Sequence, residues 1–314
     1  MPSSTSSSNR RSANKAIAAF FAIAVLLAAA TELCTRYIID PGSAIQRRVE
    51  GERAEAVALR PEEAGQPRSV LLVGNSLLLH SVDMGLLNQR LAPYAQVRRF
   101  VVESTFYWDW YFGLQRLFDE GCRPDRVIVV LAPGQILSNE IRNDYFAHYL
   151  MRGRDVVPVA SAAGLHPTVA SQLVVSRFSL FYGIRNEVRK HVLSSLLPGL
   201  EGFASMLTAH AARPAPPPGA EDEIRRRVNA LFQLGAQRSI PVAVLVPPSG
   251  TSPAVSGYDP IVARLAAESA SFLVAMPSSE TNPGDYFDGF HTNAAGRERH
   301  TLRLAEALRA GVRR

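Results

Sequence analysis

Lysine is nearly absent from this chain of 314 residues: Lys15 and Lys190 are the only two, so arginine carries the formal net charge of +6 and the isoelectric point near 9.6. The arginines are scattered, with no block long enough for a nucleic-acid tract. Abundant Ala, Arg and Pro beside so little Lys is the mark of a coding bias, and no anionic partner follows from it. Cysteine is almost as rare. Cys34 and Cys122 lie far apart and match no metal-ligand spacing, which points to neither a disulfide framework nor a zinc site. A Gly-x-Ser-x-Gly elbow, a Walker loop and a dinucleotide fingerprint are also missing, which argues against the enzyme classes those motifs serve. No internal repeat is visible.

What is present begins with a polar, Ser-rich start carrying Arg10, Arg11 and Lys15, followed by Ala16 to Ala30, drawn only from Ala, Ile, Phe, Val and Leu. That is an export signal. Ala28-Ala29-Ala30 offers a small-residue cleavage site. The apolar run is long for a signal peptide, however, and resumes at Leu33-Cys34 after Thr31 and Glu32, so an uncleaved anchor is the preferred reading over a cleaved, exported form. The basic start then stays in the cytoplasm by the positive-inside preference. The expected organisation is a cytoplasmic tail over 1–15, a single transmembrane segment over 16–34, a linker over 35–67 with room for a short helix, and one domain over 68–314 outside the cytoplasm, in the periplasm of a cell bounded by an inner membrane.

With 47% hydrophobic and 20% charged residues, the chain suffices for one well-buried α/β domain with an insertion. Short apolar runs alternate with longer amphipathic ones. Strands are predicted at Ser69 to Val73, Val97 to Val102, Val127 to Leu131, Pro241 to Val246 and Phe272 to Met276, and helices at Leu77 to Leu91, Trp110 to Asp119 and Glu221 to Ala236. Fully apolar strands separated by helices predict a five-stranded parallel sheet covered on both faces. The rhythm breaks over about 138–219, read as a helical insertion or lid. Within it Gln172 to Leu200 is amphipathic and sets Arg177, Arg185, Arg189 and Lys190 beside Phe178, Phe181 and Tyr182. A basic solvated face over a packed apolar face is the favoured reading, with a membrane-associated element as the alternative.

Two short stretches carry chemistry. In Val70-Leu71-Leu72-Val73-Gly74-Asn75-Ser76 an apolar strand ends in glycine and a serine opens the next helix. Ligands of open α/β sheets bind beyond the carboxyl ends of the strands, where this serine sits. Such a serine is often only a helix cap. Near the C-terminus, Asp288-Gly289-Phe290-His291 places a carboxylate three residues before an imidazole, so that Asp288 can orient His291 and His291 can take the proton of Ser76. His80, one helical turn after Ser76, has no evident partner and reads as a plain helix-face histidine.

Together the two stretches resemble the SGNH, or GDSL-like, serine hydrolases. The first block of that family, Gly-Asp-Ser, corresponds to Gly74-Asn75-Ser76, and its last block to Asp288-Gly289-Phe290-His291 followed by Asn293 and Gly296. The resemblance implies a flavodoxin-like three-layer α/β/α sandwich and a catalytic Ser76, His291 and Asp288 working through an acyl-enzyme, with no metal or organic cofactor. The middle departs from the family pattern: where a Gly and a Gly-x-Asn-Asp are usual, this chain has Glu103-Ser104-Thr105 and Ala132-Pro133-Gly134-Gln135. The oxyanion candidates are therefore the Ser76 backbone N–H, Ser104 and the Gln135 amide. Asn75, in place of the usual Asp, joins Trp108 and Trp110 of the run Phe106 to Phe112 as a candidate for substrate contact, the tryptophans by stacking on a sugar ring or, alternatively, simply packing at a helix start. These departures resemble divergent membrane-anchored members that work beside cell-surface polysaccharide O-acetylation systems. The implied substrate is an acylated cell-envelope glycan or another ester, and the implied partner a membrane O-acyltransferase. A catalytically idle scaffold, and a lipid or thioester hydrolase whose insertion forms an acyl tunnel, are the alternatives.

Overall fold

The computed structural model describes residues 6–39, 43–63, 65–185, 215–248 and 257–312. The first residues of the tail, and the second half of the insertion with Arg189, Lys190 and Arg213, lie outside them. The chain enters as α1 (Ser6–Cys34), which passes through one π-helical turn to Ile39, and α2 (Ala44–Ala58), capped by Ser43. Then follow β1 (Arg68–Gly74), α3 (Ser76–Ser81), α4 (Met84–Leu91), β2 (Ala95–Val101), α5 (Tyr107–Asp119), β3 (Arg126–Val130) and α6 (Pro133–Leu137). The described part of the insertion is helical, with α7 (Ala147–Leu150), α8 (Val156–Ala163), α9 (Pro167–Phe178) and a further helical segment over 180–185. The core resumes with α10 (Ala220–Ala236), β4 (Val242–Val246), α11 (Asp259–Glu268), β5 (Phe272–Val274) and α12 (Ala294–Val312).

All five strands are parallel, in the order β2-β1-β3-β4-β5. This is the flavodoxin order, in which the chain direction reverses beside β1 and β3 and opens a crevice at their carboxyl ends. The strands are apolar on both sides because each side is covered. Leu71 and Val73 of β1 face a layer containing α2, α5, α10 and α11, while Val70 and Leu72 face α3, α4 and α12. Each strand begins and ends within two residues of its predicted bounds.

Two predicted elements change. The helix expected over Leu77 to Leu91 is two helices, because Asp83 caps α4 by accepting a hydrogen bond from the Leu86 amide at 3.0 Å. The stretch read as a linker contributes α2 to the core: Val49 and Ala56 are fully buried against the sheet layer. Arg48, in the first turns of α2, donates to the Val101 carbonyl and to Glu103, which fixes that end of the helix at the carboxyl ends of the strands. The N-terminal helix is long and apolar enough to cross a membrane, over Ala13–Tyr37 with a mean hydropathy of 2.3 in its most apolar 18-residue window, and none of that window is buried by the rest of the chain.

Candidate active site

β1 delivers Ser76 to the crevice. Gly74 ends the strand where a Cβ would lie 2.7 Å from the Val130 carbonyl oxygen, so the first βα turn can run against β3 only without a side chain. Asn75 then caps α3 by accepting from the Leu77 amide at 3.0 Å, and its Nδ2 donates to the Thr105 carbonyl at 2.8 Å. Asn75 is hydrogen-bonded through both its amide oxygen and its nitrogen and is 1% exposed, which corrects the expectation that it touches substrate: it ties the turn after β1 to the turn after β2. Ser76, at the first position of α3, keeps a backbone N–H with no intrahelical acceptor.

The other half of the site is a closed loop. An antiparallel bridge joins Tyr286 to Thr292, and Gly289, at φ 75°, supplies the left-handed turn between Asp288 and Phe290. Asp288 Oδ1 accepts from the backbone N–H of Phe290 (2.9 Å) and of His291 (2.6 Å), while Oδ2 meets His291 Nδ1 at 2.7 Å. His291 Nε2 lies 3.0 Å from Ser76 Oγ. Burial alone would raise the Asp288 carboxyl, but the hydrogen bonds from the His291 ring and the two amides outweigh it and hold the group below the ordinary carboxylate range. A continuous hydroxyl–imidazole–carboxylate relay results. Of the trailing family residues, Asn293 caps α12 by accepting from the Gly296 amide at 3.0 Å, and a Cβ on Gly296 would sit 2.4 Å from the Asp285 carbonyl. Both hold the loop on the helix behind it.

The two halves are also bonded to each other. Thr292 Oγ1 donates to the His80 carbonyl at 2.7 Å, and His300 of α12 donates from Nδ1 to the Ser81 carbonyl at 2.9 Å. His300 is fully buried with its Nε2 unpartnered, and burial pushes its pKa down to about 4. The unfolded chain binds that proton near pH 6.5, so between about 6.5 and 4 it holds the extra proton and stability falls as pH falls, by about 3 kcal/mol at most. We expect the melting temperature to drop between pH 7 and pH 5, and the drop to be smaller in His300→Asn, which keeps a donor toward Ser81. Thermal melts of both proteins at the two pH values measure it; equal drops would show that His300 is not the titrating group.

His80, read from sequence as a bystander, packs its ring 4.9 Å from that of His291, with Phe287 and Phe290 on other sides of the same imidazole. Partial burial, then the proximity of His291 and Arg297, lowers the His80 pKa, so a neutral ring faces the His291 imidazole. The spacing from Ser76 was the available signal; the neighbour that gives it meaning is remote in sequence.

The oxyanion candidates converge on one cavity of about 1060 Å³ beside Ser76. Ser104 lines it and adopts a left-handed backbone at φ 55°. Buried Asp109, whose carboxyl burial pushes up to about 8, holds the following segment by accepting from the Phe106 amide at 2.8 Å. Gln135 Oε1 accepts from the Ala132 amide at 2.9 Å, which leaves its NH2 as the free end of a side chain facing the cavity. The remaining lining is largely apolar and comes from β4, α11 and the segment at β5, through Val246, Val262, Ala266, Val274 and Met276. Among the described residues, the insertion contributes Ser138 and Glu140 to the lining.

Trp108 and Trp110 do not reach this cavity. Trp110 is fully buried and donates to Thr105 Oγ1 at 2.9 Å, and Trp108, 9% exposed, packs against Tyr107, Tyr111 and Phe112. The stacking role expected for them is corrected to core packing, and Phe106 is the member of that aromatic run that faces the site. Among the described residues no cluster of His, Cys, Asp and Glu could hold a metal ion.

No protein-family profile matches the chain, and no curated protein sequence does. Among solved structures it is similar to a candidate acylhydrolase from Bacteroides fragilis, at 12% identity over 86% of this chain and 97% of that one, with a TM-score of 0.43. It is also similar to a candidate platelet activating factor from Streptococcus pneumoniae, at 10% identity over 91% of this chain and 99% of that one, with a TM-score of 0.40.

Proposed function

We propose that the protein is a serine esterase or O-acyltransferase held at a membrane by α1, with Ser76 as nucleophile, His291 as general base and acid, and Asp288 as the group that fixes the imidazole. One observation carries this reading: Ser76 Oγ, His291 Nε2, His291 Nδ1 and Asp288 Oδ2 stand in successive hydrogen-bond contact at 3.0 and 2.7 Å, beside a cavity large enough for an ester.

In the reaction Ser76 Oγ attacks the acyl carbonyl as His291 Nε2 takes its proton. Charge developing on the carbonyl oxygen is met by the Ser76 N–H, the Ser104 N–H and the Gln135 NH2. His291 returns the proton to the departing alcohol oxygen as the tetrahedral intermediate collapses to an acyl-enzyme. Water activated by the same imidazole then releases the acid, or an acceptor hydroxyl takes the acyl group. An acylated cell-envelope glycan as substrate, the periplasmic side of an inner membrane as location and a membrane O-acyltransferase as partner belong to this proposal through the family resemblance alone. The burial of both tryptophans removes the side chains expected to stack on sugar.

The apolar lining favours a second reading, a lipid or thioester hydrolase whose acyl chain lies along Val262, Ala266 and Met276. One experiment serves both. The purified full chain in detergent is treated with a fluorophosphonate and digested for mass spectrometry, and separately assayed on nitrophenyl esters from acetyl to dodecanoyl. Modification of Ser76 with turnover of at least one ester is expected. A maximum at acetyl supports small-acyl chemistry, and a maximum at long chains supports the lipid reading. Folded protein that is neither labelled nor active would favour the scaffold alternative.

A further inference from the structure

Over Gln172 to Leu200 a basic solvated face above a packed apolar face was expected. Among the described residues Arg177 is exposed and Leu173, Leu180 and Ile184 are packed, and a second set of apolar side chains is exposed beside them. On α9 and the segment after it, Leu173, Ser176, Leu180 and Ile184 face inward, while Val174, Val175, Phe178 and Phe181 face outward, Phe178 with 76% of its surface exposed. Val174, Val175 and Phe178 share one face of α9, and Phe181 follows on the helical segment after the extended Ser179, with Arg177 beside them and Arg185 lying over the Tyr182 ring at 3.9 Å. An exposed apolar patch of this kind marks an interaction surface.

Its position indicates what covers it. Glu32, in the last turn of α1, accepts from Ser179 Oγ at 3.0 Å, from the Leu180 amide at 2.8 Å and from the Phe181 amide at 3.2 Å. The apolar helix that is long enough to span a membrane includes Glu32 and ends at Tyr37. Phe178 and Phe181 therefore flank or belong to the residues bonded to the end of that helix, which under the anchor reading is where a bilayer gives way to headgroups. Exposed Phe with neighbouring Arg and Tyr is the composition that settles in such an interface.

We propose that the outward face of α9 and of residues 180–185 rests in the lipid headgroup–acyl boundary, with Val174, Val175, Phe178 and Phe181 in the lipid and Arg177 and Arg185 at the phosphates. The proposal rests on the reading of α1 as an uncleaved membrane anchor. It makes Glu32 the fastener between anchor and domain. Because α2 also meets the sheet at the strand ends that carry Ser76, the catalytic crevice is held on the membrane side of the domain.

The test uses the full chain in proteoliposomes of phosphatidylethanolamine and phosphatidylglycerol, with Cys34→Ser as background and a bimane label on Phe178→Cys, on Val175→Cys or, as control, on Glu62→Cys. Glu62 is exposed and lies beside Asp125, at the amino-terminal end of the sheet. Lipid carrying a shallow doxyl group should quench the labels at 175 and 178 several-fold more than the label at 62, and aqueous iodide should do the reverse. Labels at 175 and 178 as open to iodide as the control overturn the proposal while leaving the anchor intact. Shielding from both quenchers overturns the lipid assignment in favour of a protein cover. Release of the chain by alkaline carbonate overturns the anchor itself, and with it the lipid contact.

Discussion

Ser76→Ala is expected to abolish fluorophosphonate labelling and to lower ester turnover by on the order of 10⁵ to 10⁶, leaving only what binding and oxyanion contacts contribute. The change removes the hydroxyl that His291 Nε2 contacts at 3.0 Å and nothing else of structural weight. Ser76 is half-buried and sits at the first position of α3, where alanine is well tolerated, and the cap of that helix is Asn75. The melting temperature should therefore stay close to that of the wild type. Turnover that persists in a folded Ser76→Ala protein would remove Ser76 from the chemistry.

Asp288→Asn is the second large effect, and the hydrogen-bond pattern dictates its mechanism. Oδ1 accepts from two backbone amides, at 2.9 and 2.6 Å, so in the variant the carboxamide oxygen must stay there. The NH2 group is then turned toward His291 Nδ1, which becomes an acceptor, and the ring proton moves to Nε2. In that tautomer His291 cannot take a proton from Ser76. A loss on the order of 10⁴ in turnover follows, with the fold intact. Asp288→Ala leaves the tautomer free and should be no worse than Asp288→Asn despite removing more atoms. Parallel kinetics of the two variants check this, and an Asn variant that retains most of the wild-type rate would rule out the assigned role of the carboxylate.

The proposed catalytic arrangement was legible because each half is a local pattern. A buried parallel strand must be apolar on both faces and must end at a turn, so Val70 to Gly74 identifies its own carboxyl end and the serine beyond it. Asp288 and His291 are three residues apart, and a loop that short can satisfy their bond without reference to the rest of the chain. The candidate oxyanion donors were less legible, since Ser104 assumes a backbone that its identity disfavours, in a loop where buried Asp109 accepts from the Phe106 amide.

The misreadings share a cause. Trp108 and Trp110 have the composition of a sugar platform and of a core alike, and only the layer formed with α2 and α10 buries them. α2 carries few apolar positions, so its place in the core depends on Val49 and Ala56 meeting a surface made elsewhere in the chain. The stripe on α9 is amphipathic in sequence, but which side faces in is set by what the helix packs against.

By itself the sequence determined the parallel sheet, the apolar N-terminal helix and the two blocks that supply the candidate site, because periodicity and short-range spacing act within one strand or one turn. Only the tertiary structure decided that Ser76 and His291, 215 positions apart, meet at bonding distance, that His80 lies against the same imidazole, and that Val174, Val175 and Phe178 of α9 face outward. Those relations depend on the register of helices across a sheet, and that register is a property of packed surfaces rather than of any one segment.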